Sequence, residues 1–151
     1  MIIKEVLKLK IASKRRYAIF ISLAAFVVLG FTIFDNAMNP NDQAMEIFNY
    51  SIMIFTGIFG LFGTYVVIGS SIDLNALKKD KLPVVDVQFL RYNKRGISAK
   101  DRDEVVYSGQ VFIDLKTSEE LLLIVSNVEV NRKYKIMYGK HTNIGVVLEK
   151  I

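Results

Sequence analysis

The chain has 151 residues, 52% of them hydrophobic and 23% charged, with a formal net charge of +5 and no cysteine. Its mean hydropathy of +0.31 is high for so ordinary a charged fraction, so the apolar excess must be concentrated locally. The absence of cysteine excludes a disulfide scaffold and any thiolate metal site, and the length excludes a large multidomain enzyme.

Residues 1–16 form a basic leader. Lys4, Lys8, Lys10, Lys14, Arg15 and Arg16 stand against one acid, Glu5, among Ile2, Ile3, Val6, Leu7, Leu9 and Ile11. As a helix, Ile3, Val6 and Leu7 share a face, and the expected position is on the anionic inner surface of a membrane. Residues 17–34 and 47–72 then contain no Asp, Glu, Lys, Arg or His. At about 1.5 Å per residue the first run spans roughly 27 Å, close to the ~30 Å hydrocarbon thickness. The second reaches about 39 Å and must tilt or extend into the interface. Too little chain remains to wrap both runs as buried helices of a soluble bundle. A cleaved signal peptide is not expected either. The first run exceeds the usual apolar length, and Asp35-Asn36-Ala37-Met38-Asn39-Pro40 after it is a turn-forming set with no small-x-small cleavage site.

The basic residues predict orientation. The connection 35–46 holds three acids and no Lys or Arg, whereas Lys78, Lys79 and Lys81 follow the second run. Positive charge at both outer ends predicts that both termini are cytoplasmic and the short connection extracytoplasmic. Within the second run, Thr56, Gly60 and Thr64 make a small-xxx-small row on one helix face, widened by Gly57 and Gly63. Ala18, Ser22 and Ala25 provide matching steps on the first run. Small residues let helices approach closely in lipid, so this face predicts packing within the hairpin, between copies, or both. A transport pathway normally needs ionisable groups inside the spans, and these runs have none.

Residues 73–82 read as a charged connector ending before Pro83, after which the period changes from helical to alternating. In 105–116, Val105, Tyr107, Gly109, Val111, Ile113 and Leu115 take one face and Val106, Ser108, Gln110, Phe112, Asp114 and Lys116 the other, the mark of a strand with one buried side. Similar patterns occur at Val85-Val87-Phe89, Leu121-Leu123-Val125, Tyr134-Ile136-Tyr138 and Ile144-Val146-Leu148, with turn signals at 116–120, 131–132 and 139–143. The expected fold is therefore membrane α + β: a two-helix transmembrane hairpin, then a small all-β cytoplasmic domain over 83–151. About five antiparallel strands should curl into an OB-like or SH3-like barrel to cover their edges.

Residues 93–104 read as the longest connection between strands, carrying Lys94, Arg95, Lys100 and Arg102 beside three acids. Arg95 and Arg102 there, with Arg132, Lys133 and Lys140 near two turns, are the candidates for contact with acidic lipid or a small anionic ligand. Nucleic acid polymer is not an expected partner, because 83–151 holds eleven basic against nine acidic residues and no reader motif. His141 is the one histidine and has no second to pair with. No nucleophile elbow, phosphate-binding loop or calcium loop occurs, so neither enzyme activity, cofactor nor metal is expected.

Two readings follow. In the first, the chain is a non-enzymatic interaction or scaffolding module of a membrane assembly, most naturally in a bacterial inner membrane. The second rests on architecture: the arrangement resembles the two-span, β-barrel effectors of bacterial anti-phage signalling, with no motif matched residue by residue. That resemblance implies a barrel that senses a small anionic, nucleotide-like signal through Arg95, Arg102, Lys133 and Lys140, and helices that oligomerise to perturb the membrane.

Overall fold

A computed structural model describes residues 2–38, 43–97 and 105–151. Two long apolar helices, α1 (Ile2–Met38) and α2 (Gln43–Lys78), precede a five-stranded antiparallel sheet. Its strands are β1 (Val84–Ile97), β2 (Val105–Asp114), β3 (Glu120–Leu123), β4 (Lys133–Tyr138) and β5 (Gly145–Lys150). Both helices are long and apolar enough to cross a membrane. The chain divides into a helical unit, Ala12–Ser71, and a sheet unit made of Met1–Ile11 with Ile72–Ile151.

The basic leader expected as a separate interfacial segment is the first part of α1. No glycine or proline interrupts Ala12-Ser13-Lys14-Arg15-Arg16, so the helix propagates from the leader into the apolar run. Leu7 and Ile11 are fully buried in the sheet unit, Lys4 pairs with Asp80 at 2.6 Å, and Lys10 bonds Ser126 Oγ at 2.7 Å. At its other end α2 stops for a local reason. Asp80 takes a left-handed φ of 52°, the Lys81 amide bonds Ala76 O at 2.8 Å, and the Asp80 amide bonds Leu77 O at 3.2 Å. Those two bonds are the Schellman cap, and Pro83 prevents resumption of the helix.

The sheet order is β3-β2-β1-β4-β5. Its two outer strands meet where Ile124 and Ile144 form a parallel bridge, through Ile124 N to Asn143 O at 2.7 Å and Gly145 N to Ile124 O at 3.0 Å. The core is Val87, Phe89, Phe112, Leu123, Val125, Val128, Tyr134 and Ile136. Phe89 and Phe112 stand opposite one another in register, ring centroids 5.1 Å apart.

Three details differ from the alternation read along the chain, and bulges explain the last two. On β2 the core takes Phe112, from the face that carries Gln110 and Asp114, while Val111 is buried on the opposite face. On β5 the residue packed on the core is Val147, where the spacing pointed to Val146 and Leu148. Pairing runs from Lys135↔Glu149 to Ile136↔Val147, so Leu148 is the extra residue and inverts the faces beyond it. Finally, β1 keeps pairing with β2 as far as Ile97, inside the segment expected as loop. Register shifts after Phe89, Tyr92 and Lys94 break the two-residue period that would have revealed it.

Candidate functional site

The most tightly built polar arrangement in the sheet unit joins the last turns of α2 to the β4–β5 turn. Asp73 is 2% exposed. Its carboxylate accepts the Thr142 amide and the Thr142 hydroxyl, each at 2.8 Å, and the His141 amide at 3.2 Å from both oxygens. Burying a carboxylate is costly unless its lone pairs are filled, and here backbone and hydroxyl donors fill them. Gly139 makes the approach possible. A Cβ at that position would run into the Asp73 carboxylate and the Thr142 hydroxyl. Asn143 closes the turn at a φ of 55°, its amide bonding Gly139 O at 2.8 Å. An acid saturated in this way is not a free base. It is a clamp that fixes the β4–β5 turn to the end of α2.

Next to this clamp the ends of α1 and α2 form two shallow recesses. One of about 180 Å³ has Leu74 and Leu77 as its floor and Lys4, Glu5, Lys8 and Lys78 around it. The other, about 200 Å³, is lined by Lys4, Leu77, Asp80, Leu82, Val84 and Met137. Deeper in the sheet, Gln110 mimics a strand: its side-chain amide donates to Val125 O at 2.8 Å, and its oxygen accepts the Val125 amide at 3.0 Å. Burial raises the pKa of the Tyr138 phenol above its ordinary 10.0, and the negative charge of Asp114 raises it further.

In the helical unit the small residues of the second run divide into two groups. A Cβ on Gly63 would lie 2.9 Å from Ser22 Cβ and 3.2 Å from Ala18 O, and one on Gly60 would lie 3.0 Å from the Phe26 ring. Thr64 Oγ1 bonds Gly60 O at 2.9 Å and lies 3.1 Å from Ser22 Oγ, which also bonds Gly60 O at 3.2 Å. Gly60, Gly63 and Thr64 thus form the contact between α1 and α2. Gly57 has nothing within 4 Å of a built Cβ, and Thr56 Oγ1 bonds back to Ile52 O at 2.7 Å in its own helix.

Among the described side chains, the basic candidates Arg132, Lys133 and Lys140 do not converge. Arg132 lies 3.6 Å from Glu129, which also pairs with Lys150 at 3.3 Å. Lys133 opens β4 while Lys140 follows its other end, separated by a strand of about 17 Å. Arg102 lies outside the described residues, as does the side chain of Arg95. His141 contributes its backbone amide to the clamp. Among the described residues no group of three or more His, Asp or Glu is placed to hold a metal.

Asp73, Gly139 and Thr142 were not singled out by sequence reasoning. The available signals were weak ones: Asp73 is the first charge after a long apolar run, and Gly139 opens a turn. Nothing periodic links residues so far apart in the chain. No family model matches the chain, and no curated protein or solved structure is similar to it.

Proposed function

We propose that this chain is a non-enzymatic integral membrane protein that displays a small OB-like β-barrel to the cytoplasm of a bacterium, as an interaction or scaffolding module of an inner-membrane assembly. The observation that carries the membrane part is inverted burial in the helical unit. Phe20 is 73% exposed, Phe31 72%, Leu61 70% and Tyr65 69%, while Ser22, Thr32 and Asn49 are buried. So large an unpartnered apolar surface is unfavourable in water and natural in lipid, where hydroxyls and small residues turn inward to the helix contact. The charge distribution around the two runs favours cytoplasmic termini.

The barrel reading is supported by the strand order. Following the pairings and the Ile124–Ile144 bridge gives the circuit β1-β2-β3-β5-β4 and back to β1, the arrangement of a five-stranded Greek-key barrel of OB type. Support for a module without chemistry comes from four of its described acids. Asp73 is saturated by donors, Asp114 caps the turn after β2 through the Lys116 amide at 2.7 Å, and Glu120 and Glu129 are in ion pairs. A platform clamped to the end of a helix is suited to presenting a surface to a partner in that assembly.

The chain has no cysteine, so single introduced thiols report topology without background. In intact cells Phe31→Cys should resist aqueous maleimide, and Lys140→Cys should label only after the membrane is permeabilised. Mass measurement of the full chain in nanodiscs then separates the two functional readings. A monomer or dimer is expected for the module. Four or more copies would replace it with the gated effector, whose assembly a small anionic ligand should then control.

A further inference from the structure

The helical unit contains a half-buried arginine that makes no ion pair among the described residues. Arg15 is half-buried, and its Nε is fully enclosed with no hydrogen-bond partner among the described residues. Ser70 is 0% exposed, and its Oγ likewise lacks a partner among them. Most hydroxyls in these helices find a carbonyl one turn back, as Ser51, Thr56, Thr64 and Ser71 do. Ser70 does not.

These two orphans stand at one level of the hairpin. Ser22 meets Gly60 and Thr64, and Asp35 is bonded by Asn49 at 3.1 Å. Two antiparallel helices of equal rise carry that register to Arg15 opposite Ser70. The acids closest along the helices do not serve them. Asp73, three residues after Ser70, has its oxygens taken by the His141 and Thr142 donors, while Glu5 is about 15 Å and Asp35 about 30 Å of helix from Arg15. A partly buried guanidinium without a carboxylate is a costly arrangement unless an anion from outside completes it. The planar fork of an arginine suits a phosphate group in particular.

We infer that Arg15, with Ser70 at its level, marks a phosphate-binding site at the basic end of the helical unit, filled by the headgroup phosphate of an anionic phospholipid or by a free phosphate. The lipid form rests on the membrane reading above, since it puts residues 14–16 at the headgroup layer of the cytoplasmic leaflet. Arg16, one position on, is exposed and has no part in the site.

The test uses the full chain in nanodiscs of phosphatidylcholine, alone or mixed with phosphatidylglycerol, with retained lipid counted by native mass spectrometry. Wild type should retain phosphatidylglycerol in preference to phosphatidylcholine. Arg15→Gln should weaken that retention roughly tenfold, the loss of one charge-assisted contact, and Arg16→Gln should change it by less than about threefold. Ser70→Ala should weaken it less than Arg15→Gln and add nothing to it in the double variant, because both act on one ligand. In phosphatidylcholine alone, inorganic phosphate is titrated against melting temperature. A rise that Arg15→Gln abolishes assigns the site to free phosphate, and its absence beside Arg15-dependent lipid retention assigns it to lipid. Equal losses for Arg15→Gln and Arg16→Gln, or no dependence on Arg15 in either assay, overturns the site. Failure of the wild-type chain to enter either nanodisc overturns the membrane reading and the site together.

Discussion

The helical and sheet units obey opposite rules of burial. In the sheet unit Phe89 and Phe112 are fully enclosed, and Lys133, Lys140 and Lys150 are on the outside. In the helical unit Phe20, Phe31 and Phe34 are outside while Ser22, Thr32 and Asn49 are enclosed. One chain therefore uses aromatic rings as core in one region and as coat in the other. The contrast teaches that the apolar residues of this protein answer to their surroundings, and in the proposed reading those are water for one unit and lipid for the other.

Truncating a ring on each side of that contrast should give the largest difference. Phe112→Ala should destabilise the sheet by about 3–5 kcal/mol, through lost transfer energy and the cavity left beside Phe89. Phe31→Ala leaves no cavity and should cost well under 1 kcal/mol by the usual measure of surface substitutions. Hydrogen exchange of the full chain in nanodiscs reads both. Comparable losses in the two variants would mean that Phe31 is packed, and the contrast would collapse.

The clamp comes next. Asp73→Ala strips the partner from two backbone amides and a hydroxyl, and should cost about 2–4 kcal/mol. Gly139→Ala should reproduce most of this by forcing the turn away from the intact carboxylate. Protection should fall first across 139–145. If both variants left that segment as protected as before, the clamp would not be what holds the turn.

A smaller effect should separate two glycines of one helix. Gly63→Leu must push α1 and α2 apart and should cost about 1–3 kcal/mol, whereas Gly57→Leu meets open space and should leave the helix pair intact. Cross-linking between cysteines placed at Ala25 and Gly60 measures the pairing. If Gly57→Leu alone lowered the oligomer number in nanodiscs, that face would be the contact between copies.

The smallest effect is one of pH. A raised phenol pKa means that the folded state holds the Tyr138 proton more tightly than the unfolded state. Stability from this source is complete below the unfolded value near 10 and is lost as pH rises from there through the folded value. Tyr138→Phe should flatten that alkaline limb of the stability curve and leave neutral pH unaffected. An unchanged limb would assign it to other groups.

Much of this architecture was legible along the chain because its signals are local. Charge-free runs mark the apolar parts of the two helices, and alternation marks four of the five strands to within a few residues, while β1 runs on to Ile97. The face of a strand was less legible, since Leu148 on β5 and the shifts along β1 change the alternation by one residue, and one residue reverses inside and outside. The candidate site was the least legible part. Basic residues close in sequence, such as Arg132 and Lys140, end up at opposite ends of β4, while Asp73 and Thr142 meet across most of the domain.

By itself, then, the sequence determined the elements: two apolar helices, their basic ends, five strands and the turns between them, because each depends on neighbours within a few residues. Only the tertiary structure decided which glycines are contacts, which carboxylate is buried, and which arginine nitrogen is enclosed without a bond among the described residues. Those depend on close approach between residues distant in the chain, where a single missing Cβ or one filled lone pair decides whether two elements can touch.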